Sequence, residues 1–236
     1  MRSLNRHSIK AYEKVVANKL RLHRGNRDMG FAASIGALDL ETFASQGDGH
    51  VAVLRHYGLQ DGMSVYDLGC GCGRTSQALE RAGWTGRYRG ADIIKSLIEQ
   101  LKRKSPGYDA IVNRELSIVA PDNSLDIVFH WSVFTHLFPE ECYVYMADTF
   151  RALKPGGKLI FSFLELEDPA HQPLFRSRAR TFSKGKSVVH LDTFLHRDQI
   201  RFWARDLGFS EPEFTDGSDG SKFPAFWQAL AAMEKC

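Results

Sequence analysis

The sequence predicts a doubly wound α/β fold, a mostly parallel sheet with helices on both faces. Three observations carry the prediction. The apolar run Val65–Leu68 breaks into glycines at every second position, Gly69, Gly71 and Gly73, and then into a helical stretch from Thr75 to Arg81. Short apolar runs go on alternating with helical stretches downstream, as in βαβ units. Asp67 and Asp92 stand at the ends of two successive strands, and open parallel sheets take their ligands at strand carboxyl ends.

Size and composition agree. A chain of 236 residues with 43% hydrophobic and 25% charged content suits one large globular domain better than two. No apolar run reaches the length of a membrane span. Arg2, Arg6, Lys10 and Lys14 interrupt the start of the chain, so no secretory leader is expected there and the cytoplasm is the expected location. The four cysteines, Cys70, Cys72, Cys142 and Cys236, form no disulfide framework. Cys70 and Cys72 are too few and too close for a metal site, so no metal is expected. They read as small side chains in a crowded turn.

Residues 1–27 carry eight Lys or Arg against the single acid Glu13. Ile9, Tyr12, Val15, Val16 and Leu20 recur at helical spacing, which predicts an amphipathic helix over 8–22. Its basic face is either the solvated outside of a capping helix or a contact for nucleic acid or an anionic membrane surface. Residues 28–46, small and apolar around Gly30 and Gly36, read as a loop packed over the site. His50–Tyr57 reads as a helix and Gly58–Gly62 as the turn into the first strand. After the glycines come a helix over 74–82, a strand over 86–92, a helix over 94–102 and a strand over 108–113. Asp126–Trp131 forms the fourth strand, Pro139–Leu153 a helix closed by Lys154-Pro-Gly-Gly157, and Lys158–Leu164 the fifth strand. Residues 165–190 read as a long loop holding Arg176, Arg178, Arg180, Lys184 and Lys186. That basic set is either solvated or suited to an anionic group on a substrate. His190 and His196 flank Leu191–Leu195, and a helix from Arg197 stops at Gly208. The tail 223–233 reads as a final antiparallel edge strand, with a helix as the alternative.

The glycine spacing separates ligand classes. A dinucleotide fingerprint needs Gly-x-Gly-x-x-Gly, and Arg74 fills the place of its last glycine. A P-loop needs Gly-Lys-Ser/Thr, which is absent. Asp67-Leu-Gly-Cys-Gly-Cys-Gly73 instead resembles the first motif of the class I S-adenosylmethionine (SAM) methyltransferases. Pro121-Asp-Asn-Ser-Leu-Asp126 and Leu153-Lys-Pro-Gly-Gly-Lys-Leu159 are similar to further motifs of that family, and Ser132-Val-Phe-Thr-His-Leu137 to its small-molecule and sugar members. The resemblance spans roughly residues 60–235.

It implies a Rossmann-like, seven-stranded methyltransferase fold with SAM as cofactor. Gly69, Cys70, Gly71 and Gly73 would wrap the amino-acid part of SAM, with Asp67 holding that end. Asp92, 25 residues beyond Asp67, would take the ribose hydroxyls with Ile93 beside it. A role of Asp92 as cap of the following helix is compatible with this. Arg114 stands where the adenine-side acid of the family would be, so Asn113 or Glu115 takes over. Trp131 joins the cofactor set. His130, Trp131, Ser132 and His136, at the exit of the fourth strand, are candidates to face the transferred methyl. A neutral His136, or His130, could take the proton from an acceptor hydroxyl; the alternative for His136 is a structural cap.

The organisation implied is a basic helix and cofactor-covering segment over 1–46, then a methyltransferase domain over 47–236 with 165–190 as a substrate-side insertion. The expected partner is a small-molecule acceptor, a sugar or secondary metabolite, methylated on oxygen before nitrogen or carbon. RNA is the alternative acceptor, and a non-catalytic SAM-binding module the alternative from another class. The sequence does not fix an oligomeric state.

Overall fold

The structure is a computed structural model that describes residues 6–186 and 191–236, with side chains from residue 9 onward. Arg2 and His190 lie outside those residues. The chain divides into two compact units, Met1–Glu115 and Leu116–Cys236.

The first unit holds α1 (Arg6–Leu22), α2 (Arg27–Ser34), α3 (Leu40–His56), β1 (Ser64–Leu68), α4 (Arg74–Arg81), β2 (Arg87–Asp92), α5 (Lys95–Lys104) and β3 (Asp109–Val112). β1 pairs with β2, and β2 with β3, in parallel. Every residue of β1 is buried, as expected of a parallel strand covered on both faces. α1 turns Ile9 and Val16 inward, in line with its predicted amphipathic face, and leaves Lys10, Lys14 and Arg21 exposed.

Residues 28–46, expected as a loop, are mostly helical. Asn26 and Asp39 cap α2 and α3 by accepting from Met29 N at 3.0 Å and Thr42 N at 2.6 Å. Gly30, one of the glycines that suggested the loop, marks a close crossing instead. A Cβ there would lie 3.1 Å from Leu20 Cα. α3 also runs through residue 46, where the covering segment was expected to end.

The second unit holds β4 (Leu125–His130), a 3-10 turn (Phe134–His136), α6 (Pro139–Ala152), β5 (Leu153–Phe163), α7 (Gln172–Ser183), α8 (Arg197–Leu207), β6 (Glu213–Thr215) and β7 (Ala229–Glu234). β4 and β5 are parallel, with a register shift between Leu125 and Ile127 where Lys154–Gly157 loops out of the ladder. Arg151 ties the Pro121–Asp126 turn down. Its guanidinium donates to Ile118 O and Ala120 O, both at 3.0 Å, and pairs with Asp122 and Asp148.

Two expectations are corrected here. Residues 165–190 are not one long loop, because α7 occupies the middle; it buries none of its residues, so no apolar face announced it. The tail strand is not the edge. β7 lies between β5 and β6, antiparallel to both, and the short β6, which has no strong pattern of its own, takes the margin. The full order is β3-β2-β1-β4-β5-β7-β6, a seven-stranded mixed sheet. Among the described residues no helix is long and apolar enough to cross a membrane.

Candidate active site

In the first unit the glycine loop is pinned to the end of β2. Gly69 N and Cys70 N both donate to Ala91 O, at 2.7 and 3.1 Å. Gly71 N donates to Asp92 Oδ2 at 3.0 Å, and Ile94 N to Asp92 Oδ1 at 2.9 Å. Gly71 and Gly73 need their glycines, with φ of +56° and +93°. A Cβ on Gly71 would lie 3.2 Å from Ile35 Cγ2, and one on Gly73 2.7 Å from Ser76 Oγ. Cys70 and Cys72 fill the turn, 5% and 2% exposed. Burial raises both thiols, Cys72 to about 12, so both are protonated and unreactive. Among the described residues no group of three or more His, Cys, Asp or Glu could hold a metal ion.

Asp67 is 2% exposed, and Tyr88 donates its hydroxyl to Oδ2 at 2.7 Å. Burial pushes the Asp67 carboxyl up to about 7 against the hydrogen bonds from Tyr88 and Thr75. Asp92 is pushed up to about 6 by burial, opposed by its backbone donors. Gly71 N bonds Oδ2 and Ile94 N bonds Oδ1, the Ile93 N–H also bonds the carboxylate, and a carboxylate with about four acceptor sites keeps capacity for a further donor. A diol fits that remaining capacity.

Asn113 N donates to Asp92 O at 3.0 Å, which ties the end of β3 to the end of β2, and Asn113 Oδ1 accepts from Glu115 N at 3.0 Å. Ile93 and Glu115 are half-buried beside them. Arg114 turns away: its guanidinium donates to Ile93 O and pairs with Glu13 of α1, both at 3.0 Å. The first unit therefore gathers Asp67, the glycine loop, Asp92, Ile93, Asn113 and Glu115. His50, Thr75 and Tyr88, which lie beneath that set, are not predicted from the sequence; only their polar character amid buried neighbours signals them.

In the second unit β4 runs out into a strained turn. Ser132 has φ +57°, in the region that costs an L side chain about 1–3 kcal/mol. Ser162 Oγ accepts from Ser132 N and donates to Gln228 Oε1, both at 2.7 Å, and Gln228 also bonds the Ser132 hydroxyl. Trp131 is half-buried, its ring 4.5 Å from that of Phe226. His130 is 1% exposed, between Phe134 at 4.1 Å and Phe161 at 5.1 Å. Among the described residues neither ring nitrogen finds a partner, and burial drives its pKa down to about 3. It stays neutral and shielded.

His136 is half-buried, with Nδ1 2.8 Å from Leu191 O. A carbonyl only accepts, so Nδ1 carries the proton and Nε2 is the basic nitrogen. Beyond β5, a cavity of about 480 Å³ is lined by Glu165, Glu167, Asp168, Asp198 and Asp216 around Arg197. Arg197 grips Glu165 through two hydrogen bonds of 2.8 and 2.6 Å and also pairs with Asp216. The lining remains net acidic.

Residues 66–161 match the family described as a methyltransferase domain. The matched stretch takes in the glycine loop, Asp92 and β4, and the chain is similar there to methyltransferases of that family. A cypemycin N-terminal methyltransferase from a Streptomyces species is 33% identical to this chain, over 58% of the chain and 56% of the relative. A trans-aconitate 2-methyltransferase from Rhodopseudomonas palustris is 30% identical, over 48% and 43%. The chain thus spans about half the length of these curated relatives. Among solved structures, the magnesium protoporphyrin IX methyltransferase of Synechocystis with bound SAH superposes with a TM-score of 0.62. It is 19% identical, with 82% of this chain and 83% of that chain covered. At that identity the likeness concerns the fold.

Proposed function

We propose that the chain transfers the methyl group of SAM to a small-molecule acceptor, a sugar or secondary metabolite, on oxygen before nitrogen or carbon. The observation that carries this reading is the Gly71–Asp92 cradle, a glycine loop whose backbone N–H is bonded to the strand-end carboxylate. In it Asp92 takes both ribose hydroxyls, Gly69, Cys70, Gly71 and Gly73 follow the amino-acid part, and Asp67 faces its cationic amine. Ile93 lies along the nucleoside, Asn113 and Glu115 serve the adenine edge, and Trp131 completes the set. The segment just after α2 lies against the loop, with Ile35 against Gly71 and Arg74 Nη2 bonded to Ile35 O at 3.1 Å.

SAM supplies a methyl on a sulfonium that is displaced in line, so the protein's main task is alignment. His136, held in the Nδ1–H tautomer by Leu191 O, takes the proton of an acceptor hydroxyl at Nε2. His130 packs the floor beneath the strand exit.

A second reading, transfer to an amine, is favoured by the acidic cavity around Glu165 and Arg197, which suits a cation and repels an anion. Calorimetric titration with SAM, its demethylated product and NAD tests the cofactor. Micromolar binding of the first two and none of the third is expected, and failure of SAM to bind overturns the reading. A turnover screen of hydroxylated, amine and carboxylate metabolites against RNA then separates the acceptors. An RNA acceptor would show steep salt dependence. Tight binding without turnover on any acceptor would identify a non-catalytic module.

A further inference from the structure

Asp67 sits at the end of a directed hydrogen-bond chain. Tyr88 of β2 donates its hydroxyl to Oδ2 at 2.7 Å. Thr75, on the first turn of α4, hydrogen-bonds the same carboxylate. Thr75 Oγ1 in turn lies 3.0 Å from His50 Nδ1 on α3. All four are buried, at 2% for Asp67 and His50, 3% for Thr75 and 4% for Tyr88. A threonine hydroxyl has one hydrogen to give. When it goes to ionised Asp67, Oγ1 can only accept, so His50 Nδ1 must be the donor. His50 contributes no charge, because burial, and then Arg74, hold its pKa well below the usual histidine value. It contributes direction to the chain. The other groups facing the carboxylate are Arg74, which favours its ionised form, and Asp92, which opposes it. The Cys70 thiol also lies in its field.

We propose that His50 is a positioning residue: through Thr75 it orients the donors that keep Asp67 ionised, and so sets the pH at which the cradle accepts the cationic amino-acid end of SAM. The inference rests on the cofactor role given to Asp67 above.

The test is calorimetric titration of the full chain with SAM from pH 5.5 to 9, in two buffers of different ionisation heat so that proton release is read directly. The parent protein should bind more tightly as pH rises through the Asp67 transition, at about 7, and release a proton on binding below it. His50→Ala and Thr75→Val should each move that transition upward by about half to one pH unit. Affinity near pH 6.5 should weaken about three- to tenfold and rejoin the parent's by pH 9. His50→Asn, which returns a donor near the place of Nδ1, should restore the parent profile.

A folded His50→Ala with an unmoved transition, or with a loss equal at every pH, overturns the inference and leaves the cofactor reading intact. Should that variant fail to fold, Thr75→Val decides the matter by the same two readouts. Asp67→Asn should bind without the transition near 7, keeping only that of Asp92 at about 6. If the transition near 7 remains, or if the parent protein does not bind SAM, the reading of Asp67 itself has failed.

Discussion

The ends of β1 and β2 are built differently from the end of β4. At the first exit the polar groups are met by backbone donors of the loop and of the segment that follows β2: Asp92 by Gly71 N and Ile94 N, Ala91 O by Gly69 N and Cys70 N. At the end of β4 the partners come from far along the chain. Ser132 is held by Ser162 and Gln228, and His136 by Leu191, while among the described residues neither nitrogen of His130 has a partner. The first exit is a preformed cradle, suited to a ligand of fixed shape. The second stores strain and an unmet donor and acceptor, as sites that handle chemistry often do. On the proposed reading, substitutions at the two exits should affect cofactor binding and acceptor turnover separately.

Substitutions at each exit test that separation. The largest effect is expected for His136→Ala: turnover on the acceptor found by the screen should fall by about 10²–10⁴-fold, with SAM affinity kept. Parent-like turnover would make the second exit purely structural. Asp92→Ala should weaken SAM binding by about 1–3 kcal/mol; a folded variant with unchanged calorimetric affinity would remove the ribose contact from the cradle.

Third in size is a pH effect. The native state keeps the Asp67 proton up to about pH 7, whereas the unfolded chain loses it near the ordinary 3.8. Between those values the unfolded chain binds fewer protons, so Asp67 should make the cofactor-free protein less stable as pH rises. The contribution is at most about 1.4 kcal/mol per pH unit and ends above pH 7. Denaturant unfolding of the parent and of Asp67→Asn checks it, since the variant should lack this component of the slope. The smallest effect is expected for His130→Phe, which removes two unpaired buried nitrogens. Its thermal midpoint should rise by about 2–4 °C, and a fall would show that those nitrogens are used.

The contrast also explains what is legible in the sequence. The glycine loop, Asp67, Asp92 and their strands can be read because each carries its own local pattern, an apolar strand ending in glycines or in an acid, even though the contacts between them span about twenty residues. The turn at Pro121–Asp126 can be read as a motif, but its anchor, Arg151, cannot. Gly30 misleads, because a glycine at a helix crossing looks like a glycine in a turn until the partner Leu20 is known. α7 escapes notice since a helix without a buried face leaves no apolar period. Gln228 and His50 carry no local signal: each matters through a residue distant in sequence.

The placement of β7 has a consequence for how the chain comes together. Its partners on both sides, β5 and β6, precede it in the chain, and Lys158 must wait for Glu234. During synthesis both strands therefore present open backbone edges until β7 arrives. Such long-range pairing slows folding and exposes edges to stray association. A nascent chain halted before Ala229 would carry a gap in its sheet, and that gap is where a chaperone would be most needed.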